Sequence, residues 1–232
     1  MSRLSRGRRR SITAFACSTT VVVELTETAV TIADVRLSLL RPPDPEALID
    51  EERFEVDEFL PYWAELWPSA LALAEEVARR DVGRLRFVEL GCGLGVPSLV
   101  AAARRAEVLA TDWAEDAVEL LRRNAERNGL TLEAALIDWR DPEPLLARAP
   151  FDLVLAADVL YERRYVDLLL ELLPRLGRSV LLADPGRPFT DGFLERAGKE
   201  WSIERLGNTL YALERYDAVA VSGSGDASTA TG

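Results

Sequence analysis

The run Glu89-Leu-Gly91-Cys-Gly93-Leu-Gly95 sets one acid and three glycines at alternate positions. Glycines so spaced let a backbone turn sharply and approach a ligand closely, because they adopt dihedrals that other residues avoid. A dinucleotide-binding loop would carry its third glycine at position 96, which is Val96. A carboxylate two residues before the first glycine would also repel a pyrophosphate. A ligand bearing an ammonium group and a positive sulfur is instead attracted by that carboxylate. Glu89, Gly91, Gly93 and Gly95 therefore favour S-adenosylmethionine over NAD. The plainer alternative is an ordinary strand-to-helix turn with glycines placed for packing. Two more acids follow at regular intervals, each beside a tryptophan: Asp112-Trp113 and Asp138-Trp139. The first acid is placed to hold two ribose hydroxyls, or to cap the next helix. The second can accept a hydrogen bond from an adenine amino group while Trp139 stacks on the ring; the alternative is a loop aspartate beside a packed tryptophan.

These residues need strand ends to hold them. Short apolar runs at 86–90, 107–110, 132–137, 152–156 and 179–183 read as strands. Helical patterns at 95–105, 115–128, 163–176 and 189–199 alternate with them. Alternating strands and helices imply an α/β fold: a doubly wound, mostly parallel sheet with helices on both faces. Its ligand crevice lies at the carboxyl ends of the strands, where Glu89, Asp112 and Asp138 fall. Residues 201–206 and 209–214 flank Gly207-Asn208 as a hairpin that adds an antiparallel edge. Trp67-Pro68-Ser69 opens a helix that runs to about Arg80. Upstream, β-branched runs at 20–25 and 30–40 read as a hairpin around Glu27-Thr28, with a short helix at 46–52. Four regions result: a basic disordered extension at 1–19, the hairpin and short helix at 20–60, the α/β domain at 61–217, and a Gly/Ser-rich flexible tail at 218–232.

Composition narrows the chemistry. Histidine is absent from all 232 residues, which removes the commonest general base and metal ligand. Cys17 and Cys92 form no paired motif, so no metal site or disulfide framework is expected. The net charge is −11, and Arg3, Arg6, Arg8, Arg9 and Arg10 offset a still more acidic remainder. Such a body repels phosphate backbones and attracts basic partners, so no nucleic-acid partner is expected. No apolar run reaches membrane-spanning length, and the chain reads as a soluble, cytoplasmic monomer with no membrane partner. Residues 1–23 imitate an export signal, but their apolar stretch is interrupted by Ser11, Thr13, Ser18, Thr19 and Thr20; they read as a basic extension.

Taken together, the glycine loop, Asp112, Asp138-Trp139 and Asp158-Val-Leu-Tyr161 resemble the seven-strand S-adenosylmethionine-dependent methyltransferases, and within them the protein-lysine branch. The resemblance covers roughly residues 61–213. Pro61-Tyr62-Trp63 with Trp67-Pro68, and Asp184-Pro-Gly-Arg187-Pro188, further resemble the electron-transfer-flavoprotein β-subunit lysine methyltransferases and their bacterial relatives. The resemblance implies a seven-stranded sheet, S-adenosyl-L-methionine as cofactor, and a lysine-bearing protein substrate. It places Trp67, Glu89, Gly91, Asp112, Trp139 and Ala157 around the cofactor, and Asp158 and Tyr161 near the methyl acceptor. Asp158 would orient an amine and ease its deprotonation, or cap the following helix. Tyr161 would offer a ring face to a cation, or pack in that helix's first turn. Trp63 is a candidate for the acceptor channel. Arg187 either binds an acidic group or pairs with a carboxylate such as Asp184. A small amine as acceptor, or a non-catalytic cofactor-binding scaffold, fits the same residues.

Overall fold

The computed structural model describes residues 3–5, 25–44 and 62–217. Its elements run β1 (Arg3–Ser5), β2 (Thr26–Ile32), β3 (Val35–Arg41), a short 3-10 turn (Tyr62–Ala64), α1 (Pro68–Arg79), β4 (Arg86–Leu90), α2 (Val96–Ala103), β5 (Glu107–Asp112), α3 (Glu115–Arg127), β6 (Glu133–Leu136) and α4 (Glu143–Leu146). They continue with β7 (Leu153–Ala157), α5 (Arg163–Leu176), β8 (Ser179–Ala183), α6 (Thr190–Ala197), β9 (Trp201–Arg205) and β10 (Leu210–Arg215). The main sheet has seven strands in the order β6-β5-β4-β7-β8-β10-β9. β4 to β8 are parallel, and β10 lies antiparallel between β8 and β9.

Strand alternation sends successive side chains to opposite layers. Phe87, Leu153, Leu155 and Leu181 enter a core shared with Leu73 and Val77 of α1, Leu99 and Val100 of α2, and Leu121 of α3. Val88, Leu90, Val154 and Leu182 enter the other core, with Leu169, Leu172, Leu173 and Leu176 of α5 and Phe193 of α6. Strand order reverses at β4, whose neighbours are β5 on one side and β7 on the other. The loops after β4, β5 and β7 therefore open onto one crevice, the usual place for a ligand in such sheets.

β1, β2 and β3 form a separate antiparallel sheet. Its turn corrects the expected one: Glu27 and Thr28 lie inside β2, and the chain reverses at Ala33-Asp34, with Ala33 in the left-handed region at φ 51°. Burial explains the choice. With this turn Val30 pairs with Leu37, and Val30, Ile32, Leu37 and Leu39 all enter the core. The sheet is fastened to α3 by two carboxamides. Asn124 Oδ1 accepts from the Leu40 amide (2.7 Å) and its Nδ2 donates to the Leu40 carbonyl (3.0 Å). Asn128 treats Ser38 the same way, at 2.8 and 2.9 Å. Four helical residues rise about 6 Å, nearly the span of two strand residues, so the pair acts as a surrogate strand for β3.

Within the expected disordered extension, Arg3–Ser5 pairs along β2; the other residues of 1–19 lie outside the described residues. So do 20–24, the expected helix at 46–52, and the tail at 218–232. The four-residue α4, which buries Leu145, has no counterpart among the expected elements.

Candidate functional site

β4 delivers Glu89, almost fully buried, to the floor of the crevice. The glycine loop then turns through left-handed backbone into α2, with Gly93 at φ 51° and Gly95 at φ 67°. Neither position has room for a side chain. A Cβ on Gly93 would sit 3.1 Å from the Trp63 carbonyl oxygen, and one on Gly95 would sit 2.4 Å from Leu121 Cδ1. Ser98 is the third residue of α2, so its amide lacks a partner within the helix. Glu89 Oε2 accepts from that amide at 2.9 Å and from the Ser98 hydroxyl. Glu89 thus holds the helix start as well as lining the cavity. Cys92, in the same loop, is buried and its thiol is pushed up by burial, which leaves it unreactive.

β5 ends at Asp112, also buried. Its Oδ2 accepts from the Gly93 amide and its Oδ1 from the Ala114 amide, both at 2.9 Å. The acid therefore ties the glycine loop to the turn entering α3. Trp113 follows on the cavity rim, 44% exposed. Burial pushes the Glu89 carboxyl up to about 8 and raises that of Asp112. Neither acid has an ion-pair partner among the described residues. Two buried, uncompensated carboxylates on one cavity call for a cationic ligand.

Beyond β6, Asp138 and Trp139 line the next part of the wall. Asp138 is clasped by Arg140, whose Nη2 lies 2.6 Å from Oδ2; this pairing lowers the carboxyl's pKa. It leaves the acid ionised and able to accept further hydrogen bonds. Trp139 packs edge-on against Tyr165, with ring centroids 5.5 Å apart.

The loop after β7 supplies the opposite wall. Ala157 ends the strand and lines the cavity, and Asp158 follows in the left-handed region at φ 59°. Asp158 does not cap α5: its Oδ1 accepts from Arg187 Nε at 2.7 Å. Arg187 therefore pairs with Asp158 rather than Asp184. Asp184 Oδ1 instead accepts from the Gly186 and Arg187 amides (2.8 Å each) and from the Thr190 hydroxyl, which fixes the Arg187 loop. The guanidinium also lies 5.6 Å from the Trp67 ring. Tyr161 stands between Tyr62 and Tyr165, at 5.6 and 5.1 Å between centroids, and burial pushes its hydroxyl well above the ordinary phenol range. Trp63 lines the cavity while its ring packs against the cluster of Leu25, Leu40, Leu94 and Leu120.

One cavity thus gathers Trp63, Trp67, Glu89, Gly91, Gly93, Gly95, Asp112, Trp113, Asp138, Trp139, Ala157, Asp158 and Tyr161. Of the residues anticipated from sequence, Arg187 alone stands behind the cavity wall. The sequence reading gave Tyr62 no role beyond its motif and passed over Tyr165; both join Trp67, Tyr161 and Trp139 in a continuous arc of five rings. The four-residue step from Tyr161 to Tyr165 was the available signal. Among the described residues no group of three or more acidic, cysteine or histidine side chains is placed to hold a metal. The close-packed glycine loop, the buried acids and the aromatic walls fit S-adenosylmethionine: an amino acid end whose ammonium and sulfonium outnumber its one carboxylate, a ribose and a flat base.

Comparison with known proteins bears on the family and the fold. A family model described as lysine methyltransferase matches residues 62–182. The electron transfer flavoprotein beta subunit lysine methyltransferase of Xenopus laevis is 35% identical over 136 residues, which is 55% of this chain and 53% of that protein. The histone-arginine methyltransferase METTL23 of Xenopus laevis is 30% identical over 152 residues, 62% of each. The chain thus spans between half and two thirds of the length of these curated relatives. Among solved structures, the Thermus thermophilus 16S rRNA methyltransferase RsmC superposes with a TM-score of 0.58 at 18% identity, over 83% of this chain and 51% of that one. The magnesium protoporphyrin IX methyltransferase of Synechocystis with bound S-adenosylmethionine gives 0.53 at 18% identity, over 74% and 97%. At such identity these two speak for the fold alone. With more than half its length covered by the family model, the chain belongs to the lysine methyltransferase family of S-adenosylmethionine-dependent enzymes.

Proposed function

We propose that this protein transfers a methyl group from S-adenosylmethionine to the side-chain amine of a lysine in a protein substrate. The observation that carries the reading is the sharing of one cavity by two uncompensated buried acids, Glu89 and Asp112, and by the Asp158–Tyr161 pair. In this reading Glu89 answers the positive amino acid end of the cofactor. Asp112 takes the ribose hydroxyls, Asp138 and Trp139 take the adenine, and Trp67, Trp113 and Ala157 close the sides. When bound between these residues, the cofactor would supply an electrophilic methyl group on positive sulfur for in-line transfer to the acceptor nitrogen, with a neutral thioether as the leaving group. Asp158 accepts an N–H of the amine and so aims its lone pair. Tyr161, held protonated, positions rather than removes a proton. The rings of Tyr62, Tyr161 and Tyr165 present faces suited to an ammonium or methylated ammonium group.

The relatives' names include both lysine and arginine acceptors. Charge favours lysine. A guanidinium, with a pKa above about 12, needs strong uncompensated acid to bind and lose its proton. Asp158 is already paired with Arg187. A small amine would use the same groups. The proposal keeps a basic protein partner, a monomeric state and a cytoplasmic setting. Incubation of the purified protein and labelled cofactor with cell lysate, followed by mass spectrometry, separates these acceptors. A labelled protein band carrying methyl-lysine is expected. Methyl-arginine, or label confined to the small-molecule fraction, would overturn the lysine assignment.

A further inference from the structure

The acceptor end of the cavity contains an ion pair that simple amine orientation does not require. Asp158 has a side chain only 5% exposed, and Arg187 Nε reaches it at 2.7 Å. Both partners are delivered by fixed backbone. The Asp158 amide donates to the Ala183 carbonyl at 2.8 Å. The Arg187 loop is held by Asp184. Two separately pinned loops thus bring opposite charges together beside the site where an amine would bind.

A lone carboxylate at that place would oppose methyl transfer. It would favour the ammonium form of lysine and keep a proton on the lone pair that must react. A carboxylate neutralised by a fixed guanidinium still accepts an N–H but exerts little net field. We propose that Arg187 is a positioning residue that sets the protonation state of the acceptor: paired with Asp158, it makes the site take up a neutral primary amine in place of an ammonium ion. This rests on the amine-methylation reading above. The other charged or titratable groups around the pair are accounted for. Glu162, after β7, is engaged by Arg164 at 2.8 Å. Asp184, after β8, gives Oδ1 to its own loop, while its buried Oδ2 has no hydrogen-bond partner among the described residues and its carboxyl also faces Arg187, so a second acid shares the guanidinium's field. Tyr161 stays protonated beside Tyr165 of α5. Tyr62 and Glu65 line the segment before α1, and Glu89 and Asp112 belong to the cofactor end of the cavity.

The test compares wild type, Arg187→Gln and Arg187→Lys with poly-lysine as acceptor probe and saturating cofactor. kcat and KM are measured from pH 6.5 to 10, a range that climbs toward the ordinary lysine pKa of about 10.4. Loss of one nearby cation should move the rising limb of kcat up by about one pH unit. Arg187→Gln should therefore show about tenfold lower kcat near pH 7.5, recovery at high pH, and a lower KM for poly-lysine. Arg187→Lys should restore the wild-type profile. A kcat lowered by the same factor at every pH, or a lysine variant no better than the glutamine one, would overturn the proposal. Calorimetry with S-adenosylhomocysteine checks that each variant keeps a folded cofactor site. If Arg187→Gln loses it, Arg187→Met, a neutral side chain of similar length, takes its place in the same comparison: a limb moved up supports the proposal and a wild-type limb overturns it. If wild type methylates neither poly-lysine nor a lysate protein, the amine reading itself fails and this inference falls with it. If wild type turns over and the three profiles superimpose, only the role of Arg187 falls.

Discussion

Glu89 shows how one side chain can serve fold and ligand together. Its carboxyl caps the start of α2 through Ser98, yet burial pushes it up to about 8. The folded, cofactor-free protein therefore binds more protons than the unfolded chain between the ordinary 4.5 and about 8. Its stability should fall as pH rises through that window. A cation seated nearby would lower the Glu89 pKa, so cofactor binding near pH 7 should release a proton and tighten as pH rises toward 8. Calorimetry in buffers of different ionisation enthalpy reads this directly. Glu89→Gln should bind about tenfold more weakly at pH 8 and lose most of the pH dependence. Asp158 makes the complementary prediction. Asp158→Ala should cut kcat by about a hundredfold or more while S-adenosylhomocysteine still binds, as checked by steady-state assay and calorimetry. Unchanged turnover would remove Asp158 from the mechanism.

At the scale of elements, the fastening of the N-terminal sheet rests on few contacts. Asn124 is fully buried and satisfies both backbone groups of Leu40. Asn124→Ala would leave those groups unpaired in a place water reaches poorly, at a cost of about 2–3 kcal/mol. Urea unfolding should show that loss, and hydrogen exchange should show early opening of the Leu40 amide. The main sheet was legible in the sequence because its strands are continuous apolar runs separated by amphipathic helices and closed by glycines. The glycine loop and the acids at the strand ends were legible for the same reason: each follows a strand directly. The hairpin turn was misplaced because Ala33-Asp34 carries no glycine or asparagine to mark it, while Glu27-Thr28 looked polar enough to be a turn. The partner of Arg187 was unreadable for a different reason. Asp158 and Asp184 follow adjacent parallel strands, and which one the guanidinium meets depends on the path of the Arg187 loop, which spacing along the sequence does not give.

The whole molecule carries a net charge of −11, which bears on encounter more than on chemistry. A basic protein substrate would be drawn by that field, and salt would screen the attraction. KM for such a substrate should rise severalfold between about 0.05 and 0.3 M salt, with kcat nearly constant. KM for the cofactor, whose acids are buried, should change little. Equal salt sensitivity of both would argue against a charge-guided protein partner.

The proposed activity requires that the cavity between Glu89, the glycine loop and Asp112 accept a sulfonium nucleoside. Titration of the purified chain with S-adenosylhomocysteine, its demethylated form, tests this without knowledge of the acceptor. One site per chain is expected, with affinity reduced at least about tenfold by Asp112→Ala. No heat from that ligand, or saturable uptake of NAD in its place, would contradict the account.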